Sequence, residues 1–235
     1  MKHTLLIKDW LSSFLSLLFP HCCVVCGRPL AKGEECICTV CNINLPRTNY
    51  HLRKDNPVER LFWGQIPLER ATSFFFYEKG SDFRLILHRL KYGGQKEIGA
   101  IMGRYMAAEL LSSNFFQGID VIIPIPLHKK KQQIRGYNQS EWIARGIAAV
   151  TGIPIDTESI LRKKNTETQT RKSVFERRDN VEGIFELQHP ETLAGKHILI
   201  VDDVLTTGST TLACASCLVN VEGIRISILT LATVE

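Results

Sequence analysis

The chain has 235 residues, of which 44% are hydrophobic and 23% are charged, with a formal net charge of +5. This length allows one large domain or one domain with a small module, and the composition excludes a disordered or fibrous protein. The modest positive charge suits anionic ligands but does not by itself indicate nucleic-acid binding. Eight cysteines in a chain that we expect to be cytoplasmic argue against a disulfide framework.

Residues 1–21 predict an amphipathic N-terminal helix. Apolar side chains such as Leu5 and Trp10 recur at helical spacing, and serines occupy the other side. Lys8 and Asp9 interrupt the apolar run, and no small-residue cleavage site follows, so a secretory signal is not indicated. The stretch is too short and polar to span a bilayer, so we expect no transmembrane segment and favour a helix packed on the protein over one lying on a membrane.

Two Cys-x-x-Cys pairs close to each other predict a structural zinc site. The expected ligands are Cys23, Cys26, Cys38 and Cys41. A redox dithiol, the alternative, usually uses a single pair. Gly27 permits the tight turn that follows the first pair. Cys22 and Cys36 remain either small buried groups or alternative ligands. A site filled by four thiolates holds the fold and does no chemistry.

Residues 22–67 are expected to form this zinc-binding module and a polar linker, and residues 68–235 the main domain. Strands and helices alternate in the main domain, which predicts an α/β fold with a mainly parallel sheet flanked by helices. The predicted strands cover residues 72–77, 120–126, 198–201 and 224–231, and the predicted helices cover residues 83–92, 97–112, 139–150 and 212–218.

The most informative stretch is residues 197–211, where an apolar strand ends in Asp202 and Asp203. Gly208 then allows a tight loop whose N–H groups converge on an anion at a helix N-terminus. Hydroxyl donors in and after this loop are Thr206, Thr207, Ser209, Thr210 and Thr211. The aspartates can accept hydrogen bonds from ribose hydroxyls, so the stretch predicts a site for a phosphorylated sugar. Both carboxylates reach one ligand only if the strand ends at Val201.

Three other interpretations of this stretch are weaker. A phosphate-binding NTPase loop requires Gly-x-x-x-x-Gly-Lys-Ser/Thr, which the chain lacks. A phospho-acceptor receiver domain carries its two aspartates near its beginning, whereas Asp202 and Asp203 lie near the end of this chain. An ordinary buried strand is disfavoured because two adjacent carboxylates are costly at a strand end unless they are paired or solvated.

Two further basic segments are expected to lie at the same edge of the sheet as Asp202. Lysines occupy residues 129–131, where a solvated surface explains them equally well. Arg135 is the better phosphate ligand, because Gly136 allows close backbone approach and a guanidinium grips phosphate with two hydrogen bonds. Lys91 and Tyr92 end a predicted helix, and either a role at the substrate pocket or terminal packing accounts for them.

Several segments together resemble the ComF-like (GntX-like) branch of the type I phosphoribosyltransferases. The run Val-Asp-Asp-Val-Leu-Thr-Thr-Gly-Ser-Thr at residues 201–210 resembles the signature for phosphoribosyl pyrophosphate (PRPP). The other matching segments are Leu-Lys-Tyr-Gly at residues 90–93, Pro-Ile-Pro-Leu at 124–127, Arg-Gly-Tyr-Asn-Gln at 135–139 and the tract from Thr168 to Asn180. With the cysteine-rich N-terminus, the resemblance covers nearly the whole chain.

The resemblance implies that residues 206–210 hold the 5′-phosphate, that Asp202 and Asp203 position the ribose, and that Mg²⁺ is held mainly by oxygens of PRPP. The polar, basic segment from Arg162 to Asn180 resembles the lid loop of these enzymes, although a disordered basic loop would have the same composition. The residues expected to contact pyrophosphate or close the lid are Arg135, Thr168, Gln169, Arg171 and Arg178.

Two functions follow from the resemblance. The first is transfer of phosphoribosyl from PRPP to a nitrogen nucleophile that no motif identifies; no segment resembles a glutaminase domain. The second is an accessory role in DNA uptake, since ComF-like proteins are associated with natural transformation. Single-stranded DNA and competence proteins are then the partners, with the zinc module, Trp63 and Trp142 offering a binding surface.

Overall fold

The structure, a computed structural model, describes residues 21–163 and 183–234. The predicted N-terminal helix and the predicted lid residues Thr168, Gln169, Arg171 and Arg178 lie outside these ranges. The strands are β1 (Leu68–Phe76), β2 (Val121–Pro124), β3 (Ile160–Arg162), β4 (Phe185–Leu187), β5 (His197–Leu205) and β6 (Arg225–Thr233). The α-helices are α1 (Thr39–Ile43), α2 (Pro57–Arg60), α3 (Arg84–Tyr92), α4 (Glu97–Leu110), α5 (Lys129–Arg135), α6 (Gln139–Thr151) and α7 (Ser209–Ser216).

The central sheet has the strand order β1-β6-β5-β2, and all its neighbouring strands run parallel. This confirms the predicted α/β class with a mainly parallel sheet flanked by helices. Ile198 of β5 lies opposite Val121 on one side and Ile226 on the other. Ligands of such sheets bind outside the carboxyl ends of the strands, which is the edge where β5 delivers Asp202 and Asp203.

Apolar side chains pack on both faces of the sheet. Leu199 and Val201 belong to the core that contains α3, α4 and α6, while Ile198 and Ile200 belong to the core that contains α7. Strand β5 is therefore buried on both faces, as its continuous apolar sequence requires. Among the described helices, none combines the length and apolarity needed to cross a membrane.

The cysteine-rich segment shares the first of these cores. Cys36 packs with its Sγ 3.9 Å from the Sδ of Met102 on α4, and Ile37 is also buried in this core. Arg104 of α4 forms a bidentate ion pair with Glu35. The segment is thus fastened to α4 by apolar and charged contacts, so its integrity and that of the main core are linked.

The polar segment that follows the cysteines is more ordered than the expected linker over residues 46–67. Its first part lies along β1, because Phe76 N donates to Pro46 O and Thr48 N donates to Phe74 O. These hydrogen bonds cover the outer edge of the sheet, which would otherwise expose unpaired backbone groups. Helix α2 then begins at Pro57 behind a capping box formed by Asn56 and Glu59.

Several predicted boundaries are wrong at the site edge. The strand expected to end at Val201 continues to Leu205, because β6 continues alongside it and pairs Asp202 with Thr230 and Leu205 with Thr233. The helix expected from residue 212 begins three residues earlier, directly after Gly208 at φ 74°. The lysines at residues 129–131, for which no helix was predicted, form the start of α5, which His128 caps at its N-terminus.

Candidate functional site

The loop after β5, residues 206–210, presents its hydroxyls to solvent. Thr206, Thr207, Ser209 and Thr210 are exposed, and Thr207 Oγ1 lies 2.8 Å from Ser209 Oγ. Gly208 adopts the left-handed conformation, so α7 can begin at the next residue with its first N–H groups facing the loop. Thr211 was expected among the hydroxyl donors but is buried in the first turn of α7. The loop therefore has the hydroxyls and helix N-terminus of an anion site, without Thr211.

Phe62 supports this loop from below, a contact that the sequence did not indicate. A Cβ on Gly208 would lie 3.4 Å from the ring of Phe62, which is fully buried. Glycine is thus required here for its positive φ, whereas the ring would leave a Cβ in ordinary van der Waals contact. Phe62 follows α2, in the segment expected to be a linker, and no local motif points from it to a loop so distant in sequence.

The two aspartates lie side by side but have different partners. Asp202 Oδ1 accepts hydrogen bonds from Ser140 Oγ at 2.9 Å and from the N–H of Asp203 at 2.8 Å. Asp203 Oδ2 lies 3.1 Å from Nζ of Lys91 at the end of α3. The strand does not end at Val201 as the sequence analysis required, so the two carboxylates point to different faces of β5, and a ligand contacts both only if it extends across the strand. Helix α6 contacts the first carboxylate and α3 contacts the second.

The protonation of Asp202 is unusual. Burial raises its pKa from 3.8 to about 7, and the negative charge of Asp203 acts in the same direction. The hydrogen bonds from Asp203 N and Ser140 and the charge of Lys91 oppose this shift only in part. Asp202 therefore changes its charge near neutral pH, a property typical of functional carboxylates.

Four basic side chains surround the aspartate pair, and we call them the cation group: Lys91, Lys131, Arg135 and Arg162. Burial lowers the pKa of Lys131. The positive charges of Arg162, Arg135 and Lys91 lower it further, so the four charges share one region. They come from α3, α5 and β3, which are remote in sequence. Four cations around two carboxylates leave an excess of positive charge, which favours an anionic ligand.

Arg135, which the sequence singled out, does lie in this group. Its Nη1 donates to Gln139 Oε1 at 2.8 Å, and its guanidinium lies 5.4 Å from the ring centre of Tyr92. Lys131 is half-buried on the same side of α5, whereas Lys129 and Lys130 are exposed. The lysine run is thus divided: one lysine faces the aspartates and two face solvent. Ser140 and Arg162 were missed, because a serine at a helix start and a single arginine in a basic tract carry no distinctive signal.

Two cavities are lined by cations that interact with the aspartate pair, Arg162 in one and Lys91 in the other, and they share no lining residue. The first, about 550 Å³, opens beside the Asp202 side and is lined by His128, Lys129, Asn138 and Arg162 among others. The second, about 500 Å³, lies on the Asp203 side between α3 and the end of β5, and Lys91 and Thr206 line it. A ligand placed over the aspartates can therefore extend in two directions.

The predicted zinc ligands Cys23, Cys26, Cys38 and Cys41 converge into one cysteine cluster, with their Sγ atoms all within 4.8 Å of one another. Sγ of Cys26 lies 3.7 Å from Sγ of Cys38. A tetrahedron of sulfurs about 2.3 Å from a zinc ion has edges of about 3.8 Å, so this spacing fits zinc. Hydrogen bonds to Arg28 lower the pKa of the Cys26 thiol to about 6, which favours the thiolate that a metal needs.

Backbone N–H groups orient these sulfurs. Cys38 N donates to Sγ of Cys23 at 3.3 Å, and Cys41 N donates to Sγ of Cys38 at 3.5 Å. Gly27 makes the turn after the first pair at φ 73°. Cys22 is exposed and outside the cluster, whereas Cys36 is buried against Met102 and its pKa is raised by burial to about 12. The four cysteines can hold a metal such as zinc, and neither Cys22 nor Cys36 belongs to that set.

Comparison with known proteins identifies the class of fold. A family model described as the phosphoribosyl transferase domain matches residues 139–234, which include the aspartate pair, the loop and α7. One structural neighbour is the adenine phosphoribosyltransferase of Leishmania tarentolae. It is 12% identical to this chain with a TM-score of 0.38, and the match covers 80% of this chain and 94% of the other. Residues 139–234 thus form a phosphoribosyl transferase domain.

Relatives along the whole chain identify the family. The DNA utilization protein YhgH of Escherichia coli O157:H7 is 32% identical over 209 residues, covering 83% of this chain and 88% of the relative. Competence protein ComFC of Bacillus subtilis is 25% identical over 88% of this chain and 75% of its own length. The chain belongs to the ComF/GntX-like family, which confirms the resemblance seen in the sequence.

Proposed function

We propose that the protein binds PRPP and transfers its phosphoribosyl group to a nitrogen nucleophile, with release of pyrophosphate. The observation that carries the proposal is the aspartate pair at the end of β5, between a hydroxyl loop on a helix N-terminus and a group of four cations. PRPP has a phosphate at one end, a ribose in the middle and a pyrophosphate at the other. The loop, the pair and the cation group offer matching partners in that order.

The 5′-phosphate lies in the loop of residues 206–210, where the N–H groups of α7 and the exposed hydroxyls donate hydrogen bonds. The ribose hydroxyls donate to the carboxylates, and the pyrophosphate lies against the cation group. As pyrophosphate leaves C1′, positive charge develops on the sugar, and Asp202 and Asp203 stabilise it. The predicted lid contacts Thr168, Gln169, Arg171 and Arg178 remain part of the proposal as a cover that excludes water.

Carboxylate and ligand oxygens form a donor set that suits Mg²⁺, which prefers oxygen and keeps several waters. When bound, Mg²⁺ neutralises charge on the pyrophosphate, and Asp202 and Asp203 are the nearest carboxylates that would hold it. Asp203 must then exchange its contact with Lys91 for one with the ligand. The cysteine cluster holds zinc as a structural ion in a cytoplasmic protein, where thiols stay reduced.

The test is a calorimetric titration with PRPP, with and without Mg²⁺, of the purified protein and of the Asp202→Asn, Asp203→Asn double variant. We expect saturable, Mg²⁺-dependent binding to the first and none to the second. A thermal melt of the variant shows whether it is folded. Well-folded wild-type protein that binds no PRPP would contradict the proposal.

A second candidate function, binding of single-stranded DNA, is favoured by cations placed over tryptophan rings. Arg60 lies 5.9 Å from the ring centre of the exposed Trp63. Lys96 and Arg145 lie 4.8 and 4.9 Å from that of the half-buried Trp142. Stacking faces beside cations suit single strands, and the relatives are called DNA utilization and competence proteins.

In this second function PRPP is a structural or regulatory ligand, and the partners are single-stranded DNA and proteins of the competence machinery. Fluorescence anisotropy with an oligonucleotide at 50 and 200 mM salt tests it, since phosphate contacts make affinity fall steeply with salt. Trp63→Ala should weaken the binding. If the double aspartate variant still binds DNA, the two ligands occupy different surfaces; absent or salt-insensitive binding counts against the candidate.

A further inference from the structure

Tyr137 lies in the short link between α5 and α6 and contacts the end of α3. Gly136, at φ 80°, ends α5, and Asn138 caps α6, so Tyr137 is held by a helix on either side. Its side chain is buried, and its hydroxyl donates a hydrogen bond to the carbonyl oxygen of Leu90 at 2.6 Å. One buried hydrogen bond therefore joins the α5–α6 link to a helix that is 47 residues away in sequence.

The carbonyl group of Leu90 is one that α3 does not satisfy by itself. In an α-helix each carbonyl accepts a hydrogen bond from the N–H four residues later, and for Leu90 that residue is Gly94, beyond the end of α3 at Tyr92. Leu90 is fully buried, so water does not replace the missing donor. Burial also raises the pKa of Tyr137, so the hydroxyl keeps the proton that it donates. Tyr137 thus caps the C-terminus of α3, and loss of its hydroxyl would leave a buried carbonyl unpaired.

The same end of α3 carries one member of the cation group and contacts another. The first is Lys91, whose Nζ lies 3.1 Å from Oδ2 of Asp203. The second is Arg135 of α5, whose guanidinium lies 5.4 Å from the ring centre of Tyr92. Tyr92 is 68% exposed, and a cation beside an exposed ring is held only weakly. The buried hydrogen bond of Tyr137 is therefore the contact between these helices that is more costly to break.

We infer that Tyr137 is a positioning residue, whose hydroxyl fixes the distance between Lys91 and Arg135 and so gives the cation group its affinity for pyrophosphate. This inference rests on the proposed binding of PRPP. Tyr137 does not touch the ligand and acts through the end of α3. The two phosphoryl groups of a diphosphate are a fixed distance apart, so cations from two helices hold both of them best when the spacing of these helices is set in advance. The 5′-phosphate, assigned to the loop of residues 206–210, does not depend on this spacing.

Tyr137→Phe tests this role, because it removes the hydroxyl and keeps the ring. Calorimetric titrations with Mg²⁺ use pyrophosphate and ribose 5-phosphate as separate probes, well below the melting temperature of each protein. We expect pyrophosphate binding to weaken by about threefold to tenfold, in line with the net value of one hydrogen bond, and ribose 5-phosphate binding to change by less than about twofold. Tyr105→Phe is the matched control, because Tyr105 is a half-buried tyrosine of α4 outside the cation group, and it should change neither affinity.

A double-mutant cycle separates positioning from a general loss of stability. Because Tyr137 acts through Lys91, Tyr137→Phe should weaken pyrophosphate binding by less than about twofold when it is added to Lys91→Met. A merely structural role would weaken both probes alike and act equally with and without Lys91. Unchanged pyrophosphate binding by Tyr137→Phe, equal weakening of the two probes, or an effect that persists in full in the Lys91→Met protein would overturn the inference. Wild-type protein that binds neither pyrophosphate nor PRPP would instead overturn the proposed function, and this inference with it.

Discussion

The cysteine cluster and the aspartate site are built in opposite ways. The cluster draws its four ligands from two short segments, and the spacing within each segment brings the sulfurs together. The aspartate site draws on α3, α5, α6, β3 and β5, whose separation in sequence is large. The cysteine cluster needs only correct turns within two short segments, whereas the aspartate site forms only when the whole sheet and its helices are assembled.

The largest effect should come from the cysteine cluster. Cys38→Ser removes a buried thiolate from a segment that shares the main core, so zinc is lost and the melting temperature falls by about 10 °C or more. Cys22→Ser, outside the cluster, should retain about one equivalent of zinc and the original melting temperature. Metal analysis and calorimetric melting measure both. Equal behaviour of the two variants would show that the cluster is not a structural metal site.

The contact between α4 and α6 connects the two regions, because α4 touches the cysteine segment and α6 carries Ser140. A Cβ on Gly103 would lie 2.2 Å from the carbonyl oxygen of Ile143, where neither backbone can yield cheaply. Gly103→Ala should therefore lower the free energy of unfolding by about 3 kcal/mol.

Gly80→Ala is the matched control, because its Cβ meets nothing within 4 Å. It should change the free energy of unfolding by less than about 0.5 kcal/mol. Urea titration of both variants gives the comparison. A Gly103→Ala protein as stable as the control would mean that the two helices separate readily and do not couple the regions.

At the aspartate site itself, Lys91→Met should weaken PRPP binding by about tenfold to a hundredfold. The change leaves Asp203 without its ion pair and removes one charge from the cation group. Lys32→Met removes the same charge from an exposed lysine of the cysteine segment, which is not part of the cation group. If both variants weaken binding equally, only net charge matters and the contact with Asp203 has no specific role.

A smaller effect is expected from pH. Affinity for Mg²⁺ and PRPP should rise by about tenfold between pH 6 and pH 8, as Asp202 with its pKa of about 7 becomes charged. Ionisation of the ligand phosphates also raises the affinity. The contribution of Asp202 is therefore the difference between the pH dependence of the wild-type protein and that of Asp202→Asn. Identical pH profiles for the two proteins would contradict the assigned role of Asp202.

The raised pKa of Asp202 also determines whether the protein becomes more or less stable as the pH rises. Between pH 3.8, the ordinary pKa of an aspartate, and about 7, the folded protein holds a proton that the unfolded chain has lost. The free energy of unfolding therefore falls as the pH rises through this window, and Asp202→Asn should make that dependence shallower. Denaturant titrations at pH 5 and pH 7 measure it.

Local sequence predicted the class of fold, the convergence of the four cysteines and the tight loop after β5, because each depends on alternation, spacing or turn chemistry. The end of β5 was wrongly predicted at Val201, because pairing with β6, which lies in another part of the chain, extends the strand to Leu205. Helix α5 was missed because its residues are almost all polar. The partnership of Ser140 with Asp202 could not be foreseen, since tertiary packing alone brings α6 to the strand end.

The most direct test of the central claim is to titrate the protein with ribose 5-phosphate, pyrophosphate and PRPP in the presence of Mg²⁺. If the hydroxyl loop, the aspartate pair and the cation group form one site, PRPP must bind more tightly than either part by about a hundredfold or more, because one ligand then makes both sets of contacts. PRPP that binds no more tightly than ribose 5-phosphate would show that the cation group does not belong to the site.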